Sequence, residues 1–216
     1  MTDPSSQPVA EHFAEVGQQR EALTLGMWVF LVTEVMFFGG LFTGYAVYRA
    51  TFPQSFAEAS RHLDMWLGGI NTCLLITSSL FMALAVHDAQ SDRRRALTRN
   101  LLVTAALGAG FLLIKFVEYG HKIDEGLFPG TSFEFDGTDV AAAQLFFGLY
   151  FVMTGMHALH MIIGIGGLIV LAVPAARGRF AGRRFMTVEI FGLYWHFVDL
   201  VWIFLFPLLY LIGRHA

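Results

Sequence analysis

The stretch LGMWVFLVTEVMFFGGLFTGYAVYR, residues Leu25 to Arg49, is apolar apart from one carboxylate near its middle, Glu34. As a helix rising 1.5 Å per residue it is long enough to cross the hydrocarbon core of a bilayer. Glu34 would then lie about 15 Å deep, where an unpaired charge costs several kcal/mol. Either the carboxylate has a partner, or it is kept neutral, or the stretch does not span. The rest of the chain decides between these.

Of the 216 residues, 56% are hydrophobic and 14% are charged. A soluble domain carries about 25% charged residues, so the composition points to a polytopic membrane protein. Apolar segments lie near 24–48, 65–87, 98–119, 141–173 and 186–212. Each exceeds the roughly 20 residues a spanning helix needs. The predicted fold is therefore all-α, a single five-helix transmembrane bundle over 24–216, preceded by a polar segment, 1–23. The fourth span is long, but its one clear breaker, Pro174, stands at its end, so one tilted helix is expected. The N-terminal segment has neither a basic n-region nor an early apolar run. No cleaved signal peptide is expected, and the first span serves as its own insertion signal. The single cysteine, Cys73, excludes an internal disulfide framework and a multi-cysteine metal site.

Arginines set the expected orientation. Arg93, Arg94, Arg95 and Arg99 follow the second span; Arg177, Arg179, Arg183 and Arg184 follow the fourth. The linker after the third is acidic, with Asp124, Glu125, Glu134, Asp136 and Asp139 against Lys122. With five spans, both arginine clusters fall on one side, which the positive-inside rule makes cytoplasmic. The N-terminus is then cytoplasmic and the C-terminus outside, in the bacterial cytoplasmic membrane. This reading absorbs the arginines without a nucleic-acid partner. Trp66 suits an interfacial anchor, and FPGTSFEFDGTD reads as an ordered outer loop.

The intramembrane polar residues can be compared by depth. From the cytoplasmic end, Glu34 and His196 lie about 15 Å in, His160 and Asp199 about 20 Å, and His157 about 24 Å. His157 and His160 share one helix face; Glu189, His196, Asp199 and Trp202, at steps of seven, three and three, form a stripe on another. Polar groups in lipid face the bundle interior or a cavity. Glu34 is expected to meet His160, with His157 as second choice. Such contacts can act as interhelical glue, each below about 1 kcal/mol, or as glue that also binds lipid. Asn71, Thr72, Thr77, Ser78 and Ser79, with Gly68 and Gly69, suit close helix packing. Lys115, Glu118 and Lys122 fall near the outer interface, where Lys115 can snorkel or pair with Glu118.

Metal chemistry has little to stand on. Glu118 to His121 is an ExxH pattern, but a helical di-iron site needs two of them plus two further carboxylates at one depth. His157 and His160 are too close together to ligate haems stacked across a bilayer, and no Cys-x-x-Cys-His occurs. No catalytic residue, metal ligand or cofactor is expected in this chain.

The motifs resemble one family. YWHFVDLVWIFLFPLLYL (Tyr194 to Leu211) is similar to the last helix of subunit III of haem–copper respiratory oxidases, and TGMHALHMIIG (Thr154 to Gly164) to the penultimate one. LGMWVFLVTEVMFFGG resembles the family's glutamate-bearing helix, and GGINTCLLITSS the helix after it. Ordered as in the family, they cover nearly all of 24–212. The resemblance implies a chain without haem or copper, packed on subunit I, which holds those centres, reduces dioxygen and pumps protons. Subunit II, and in some complexes subunit IV, complete the assembly. It further implies bound phospholipid, a role in oxygen entry and support of proton uptake. Glu34 matches the family's carbodiimide-reactive glutamate, His157 and His160 its paired histidines, and His196, Asp199 and Trp202 its terminal signature. Glu34, His160 and Arg184 are the expected lipid contacts.

The long family form has two further helices that make a V-shaped lipid cleft. This chain resembles the five-helix form, whose cleft is open or closed by another subunit. Pro207 should kink the last span near the outer leaflet. The expected function is subunit III of a terminal cytochrome c oxidase in aerobic electron transport. Accessory subunits of quinol oxidases or nitric oxide reductases are the alternatives. From other classes, a proton or ion transporter using Glu34, His160, His196 and Asp199 lacks the usual internal repeat, and a membrane di-iron oxygenase lacks the ligand set.

Overall fold

In a computed structural model that describes residues 16–177 and 185–211, each apolar segment is one helix. The helices are α1 (Val16–Thr51), α2 (Pro53–Arg61), α3 (Met65–Gln90), α4 (Arg94–Asp124), α5 (Val140–Ala176) and α6 (Phe185–Phe206). A wide π turn, Pro207–Leu211, extends α6. Among the described residues there is no strand, and five helical segments are long and apolar enough to span a membrane.

Helix ends depart from the apolar limits for a physical reason. Hydropathy marks the hydrocarbon boundary, whereas helices continue into the polar interface. Thus α4 starts at Arg94 and ends at Asp124, and α5 runs through Pro174 to Ala176. Asp64 Oδ1 caps α3, accepting from Trp66 N at 2.8 Å and Leu67 N at 3.2 Å. Asp139 Oδ1 caps α5 by accepting from Ala142 N at 3.0 Å. Trp66 is strongly exposed, as an interfacial anchor should be.

The short helix α2 was not expected. Pro53 sits in its first turn, where a missing N–H costs nothing. Phe56 is fully buried, edge-on to Tyr45 and Phe146 at 5.5 and 5.4 Å between ring centroids. At the other end of α4, Gly126 adopts φ 73°. Its N–H bonds Ile123 O at 3.0 Å and the next N–H, of Leu127, bonds Lys122 O at 2.9 Å, a Schellman closure. Gly126 O then accepts from Glu134 N at 3.0 Å, which ties down the loop. Gly126→Ala should cost about 1 kcal/mol, because φ is left-handed and the new methyl would stand 3.3 Å from Glu134 Cβ. Faster protease cleavage within 127–138 would report it; unchanged cleavage would count against the closure.

The core is built on α3, α4, α5 and α6, with α3 on α4 and α6, and α5 on α4 and α6. Trp195 of α6 is fully buried where α4 and α5 each present a glycine. A Cβ on Gly108 would stand 2.8 Å from this indole, and one on Gly164 2.9 Å. Small residues of this kind let lipid-embedded helices approach closely. By contrast, α1 lies along α5 and α6 by a narrow seam. Leu31, Phe38 and Tyr45 are buried at intervals of seven, with Glu34 and Leu41 between them. That is the 3-4 spacing of a coiled-coil seam, and it turns Glu34 toward the bundle. Away from the seam, Trp28, Val32 and Met36 are exposed apolar surface.

Candidate functional site

Glu34 and His160 meet across that seam. His160 Nε2 is 3.1 Å from Glu34 Oε2. The other ring nitrogen, Nδ1, is 2.8 Å from Met156 O. A carbonyl only accepts, so Nδ1 carries a hydrogen. Nε2 then bonds the glutamate only when one proton lies between them. At 3.1 Å the two groups are close enough for such a bond. Phe38 covers the imidazole at 5.6 Å between ring centroids, and Tyr194 donates to His160 O at 2.8 Å.

The second histidine has a different setting. His157 is buried, with both ring nitrogens lacking a hydrogen-bond partner, and it packs against Phe111 and Trp202 at 5.3 Å each. It does not join Glu34. On α6, the stripe divides. His196, Asp199 and Trp202 line a groove of about 420 Å³ between α3 and α6, with Thr72 and Ser79 opposite, whereas Glu189 lies outside it. Ser79 Oγ and His196 Nδ1 are 2.7 Å apart, and Trp202 Nε1 donates to Thr72 Oγ1 at 3.1 Å. Asp199 is buried beside Ser79, but neither of its oxygens makes a hydrogen bond of good geometry. Arg184, the third expected lipid contact, lies outside the described residues.

The densest polar cluster was only partly foreseen. Lys115 does not snorkel to the interface; it points inward and is 2% exposed. Its Nζ donates to Glu118 Oε2 at 3.0 Å, Tyr150 OH at 3.1 Å and Tyr210 OH at 2.8 Å, which uses all three ammonium protons. Glu118 Oε1 accepts from Tyr150 OH at 2.9 Å and Tyr210 OH at 2.5 Å. The rings of Tyr119, Tyr150, Trp202 and Tyr210 surround the ammonium at 4.9–5.5 Å. The π turn after Pro207 carries Tyr210 into this cluster, and in the same turn Leu208 O accepts from Tyr45 OH of α1 at 2.9 Å. With Glu118 sealed in and His121 exposed, the ExxH pattern does not converge. Among the described residues, no three His, Cys, Asp or Glu side chains cluster as metal ligands would.

The two acid–base pairs therefore differ in access. Lys115 and Glu118 are closed off and fully bonded, which is the geometry of a structural tie. Glu34 and His160 retain 19% and 11% of their side-chain exposure and remain partly open at the surface of the bundle.

A sequence model of cytochrome c oxidase subunit III matches residues 9–214. The cytochrome c oxidase subunit 3 of Synechocystis sp. is 35% identical over 190 residues, covering 87% of this chain and 74% of its own. The quinol oxidase subunit 3 of Bacillus spizizenii is 30% identical, covering 88% and 86%. A haem–copper oxidase subunit I+III of Aeropyrum pernix is 30% identical over 89% of this chain and 23% of the longer relative.

Proposed function

Since the chain belongs to the cytochrome c oxidase subunit III family, we propose that it is the non-catalytic lipid-holding partner of a cytochrome c-driven terminal oxidase. It is subunit III of a haem–copper oxidase, an integral protein of the bacterial inner membrane, and so works beside a catalytic subunit. In the proposed complex it packs on subunit I, with subunit II and in some forms subunit IV alongside. The haem and copper belong to those partners. This chain retains phospholipid, shapes the path of oxygen through the membrane and supports proton uptake by subunit I. The relative that unites subunits I and III in its name supports the pairing.

The observation that carries the proposal is the Glu34–His160 pair. It is an acid–imidazole contact at 3.1 Å, partly exposed at the bundle surface, on the span least covered by its own bundle. Glu118, sealed behind its cluster, offers no such access. A phospholipid lying along α1 would cover the open side of the pair.

The test uses the purified complex. Glu34→Gln should leave haem spectra and initial turnover intact if the redox centres lie in the partner subunits as proposed. It should lower bound phospholipid, shorten activity over repeated turnovers and abolish carbodiimide labelling at this position. His160→Ala should loosen α1 by about 0.6–1.7 kcal/mol, the range for interhelical hydrogen bonds in lipid, read as faster proteolysis. Haem loss in Glu34→Gln, or wild-type lipid content and labelling, would refute the proposal. The quinol oxidase relative supports one second reading, a quinol donor, which assay of the complex with reduced cytochrome c or quinol separates.

A further inference from the structure

A groove of about 580 Å³ opens beside the start of α4, away from the Glu34–His160 pair. Its rim holds Arg94, Arg95 and Arg99; Leu102 and Ala106 continue the α4 wall, and Ala176 at the end of α5 faces them. Arg95, Arg99, Leu102 and Ala106 follow at steps of four, three and four, so they form one stripe along the helix. All four are exposed.

The charges at this rim are incompletely paired. Arg93 lies 4.0 Å from Asp88, whose other oxygen accepts from Asn100 at 2.7 Å. Arg94 lies 3.9 Å from Asp92. Arg95 and Arg99 have no acidic partner among the described residues, and they are like charges one turn apart, an arrangement that is unfavourable on its own. An anion between them removes the repulsion.

The groove below the rim says which anion. From Arg95 to Ala106 the stripe runs about 16 Å along the axis. That is the depth of one leaflet in a hydrocarbon core about 30 Å thick. The small side chains of Ala106 and Ala176 leave room for a chain between α4 and α5. A soluble anion would use the rim alone. Membrane orientation alone would require the arginines but not an apolar slot beneath them.

We propose that this groove binds one anionic phospholipid, its phosphate held by Arg95 and Arg99 and one acyl chain lying along Leu102 and Ala106. Guanidinium forks match phosphate oxygens, and basic pockets between transmembrane helices select anionic headgroups. The site shares no residue with the Glu34–His160 pair and does not rest on the reading of that pair.

The experiment is native mass spectrometry of the purified complex, delipidated in detergent and titrated with phosphatidylglycerol or phosphatidylcholine. The wild type should hold one phosphatidylglycerol that phosphatidylcholine does not replace. The double variant Arg95→Gln/Arg99→Gln should bind it at least tenfold more weakly. Ala106→Trp keeps every arginine, and with them the insertion signals, yet fills the slot; it should lose the same lipid. Arg61→Gln, in another linker, should retain it. Wild-type retention by the double variant would overturn the proposal. So would retention by Ala106→Trp, or displacement of the lipid by millimolar inorganic phosphate, either of which would reduce the site to its rim.

Discussion

Lys115→Met is expected to destabilise the bundle by about 3–5 kcal/mol, the typical cost of removing one partner from a buried ion pair. The methionine fills similar volume, so little of the loss comes from packing. What remains is Glu118, 1% exposed, with two tyrosine donors but no cation. The unpaired carboxylate then bears its desolvation cost alone. The pair as a whole is less valuable than its parts suggest. Lys115→Met/Glu118→Leu should recover most of the loss, since both charges and both desolvation costs vanish together. Tyr210→Phe should cost about 1 kcal/mol for one lost hydrogen-bonding group. Thermal unfolding in a fixed detergent orders these variants. A single variant as stable as the wild type, or a double variant worse than the single, would contradict the account of this cluster.

The second large effect belongs to Trp195→Ala, at about 3–5 kcal/mol for truncating a large buried side chain. The indole is fully buried against Gly108 and Gly164, and its Nε1 donates to Ser78 Oγ at 3.2 Å. Neither glycine can offer a side chain to fill the space. The opposite change tests the same joint. Gly164→Leu should cost about 1–3 kcal/mol by overpacking, because its first carbon already stands too close to the indole. Combining the two should be milder than the sum, as the leucine enters the space the indole leaves. Strict additivity would mean that Trp195 and Gly164 do not share a joint.

The residues that the sequence reading located differ from those it missed in one respect, the number of coordinates each contact needs. The Glu34–His160 contact needed only depth and face. Both follow from span limits and the 3.6-residue turn, since Glu34 stands alone in its apolar stretch and His160 is nearer to it in depth than His157. The Lys115 cluster needed more. The i,i+3 spacing to Glu118 was visible, but the inward turn of Lys115 depends on Tyr150 and Tyr210, which lie on other elements. Tyr210 reaches it only because the backbone widens after Pro207. A kink could be expected from the proline, but the direction in which it aims Tyr210 could not. Similarly, α2 is short and rich in polar residues, so no hydropathy pattern separates it from a loop; its helicity rests on Phe56 finding Tyr45 and Phe146. Of the α6 stripe, His196, Asp199 and Trp202 line the groove, and Glu189, two turns before His196, is half-buried outside it.

The seam that holds α1 has a consequence for biosynthesis. Its partners, α5 and α6, lie far downstream in the chain. At ribosomal speeds of about 5–20 residues per second, Glu34 waits on the order of ten seconds before His160 has even been made. During that interval the nascent helix holds a carboxylate at mid-bilayer with no imidazole beside it. Until the bundle closes, a proton on the acid or residual water at the translocon would have to take the place of the imidazole.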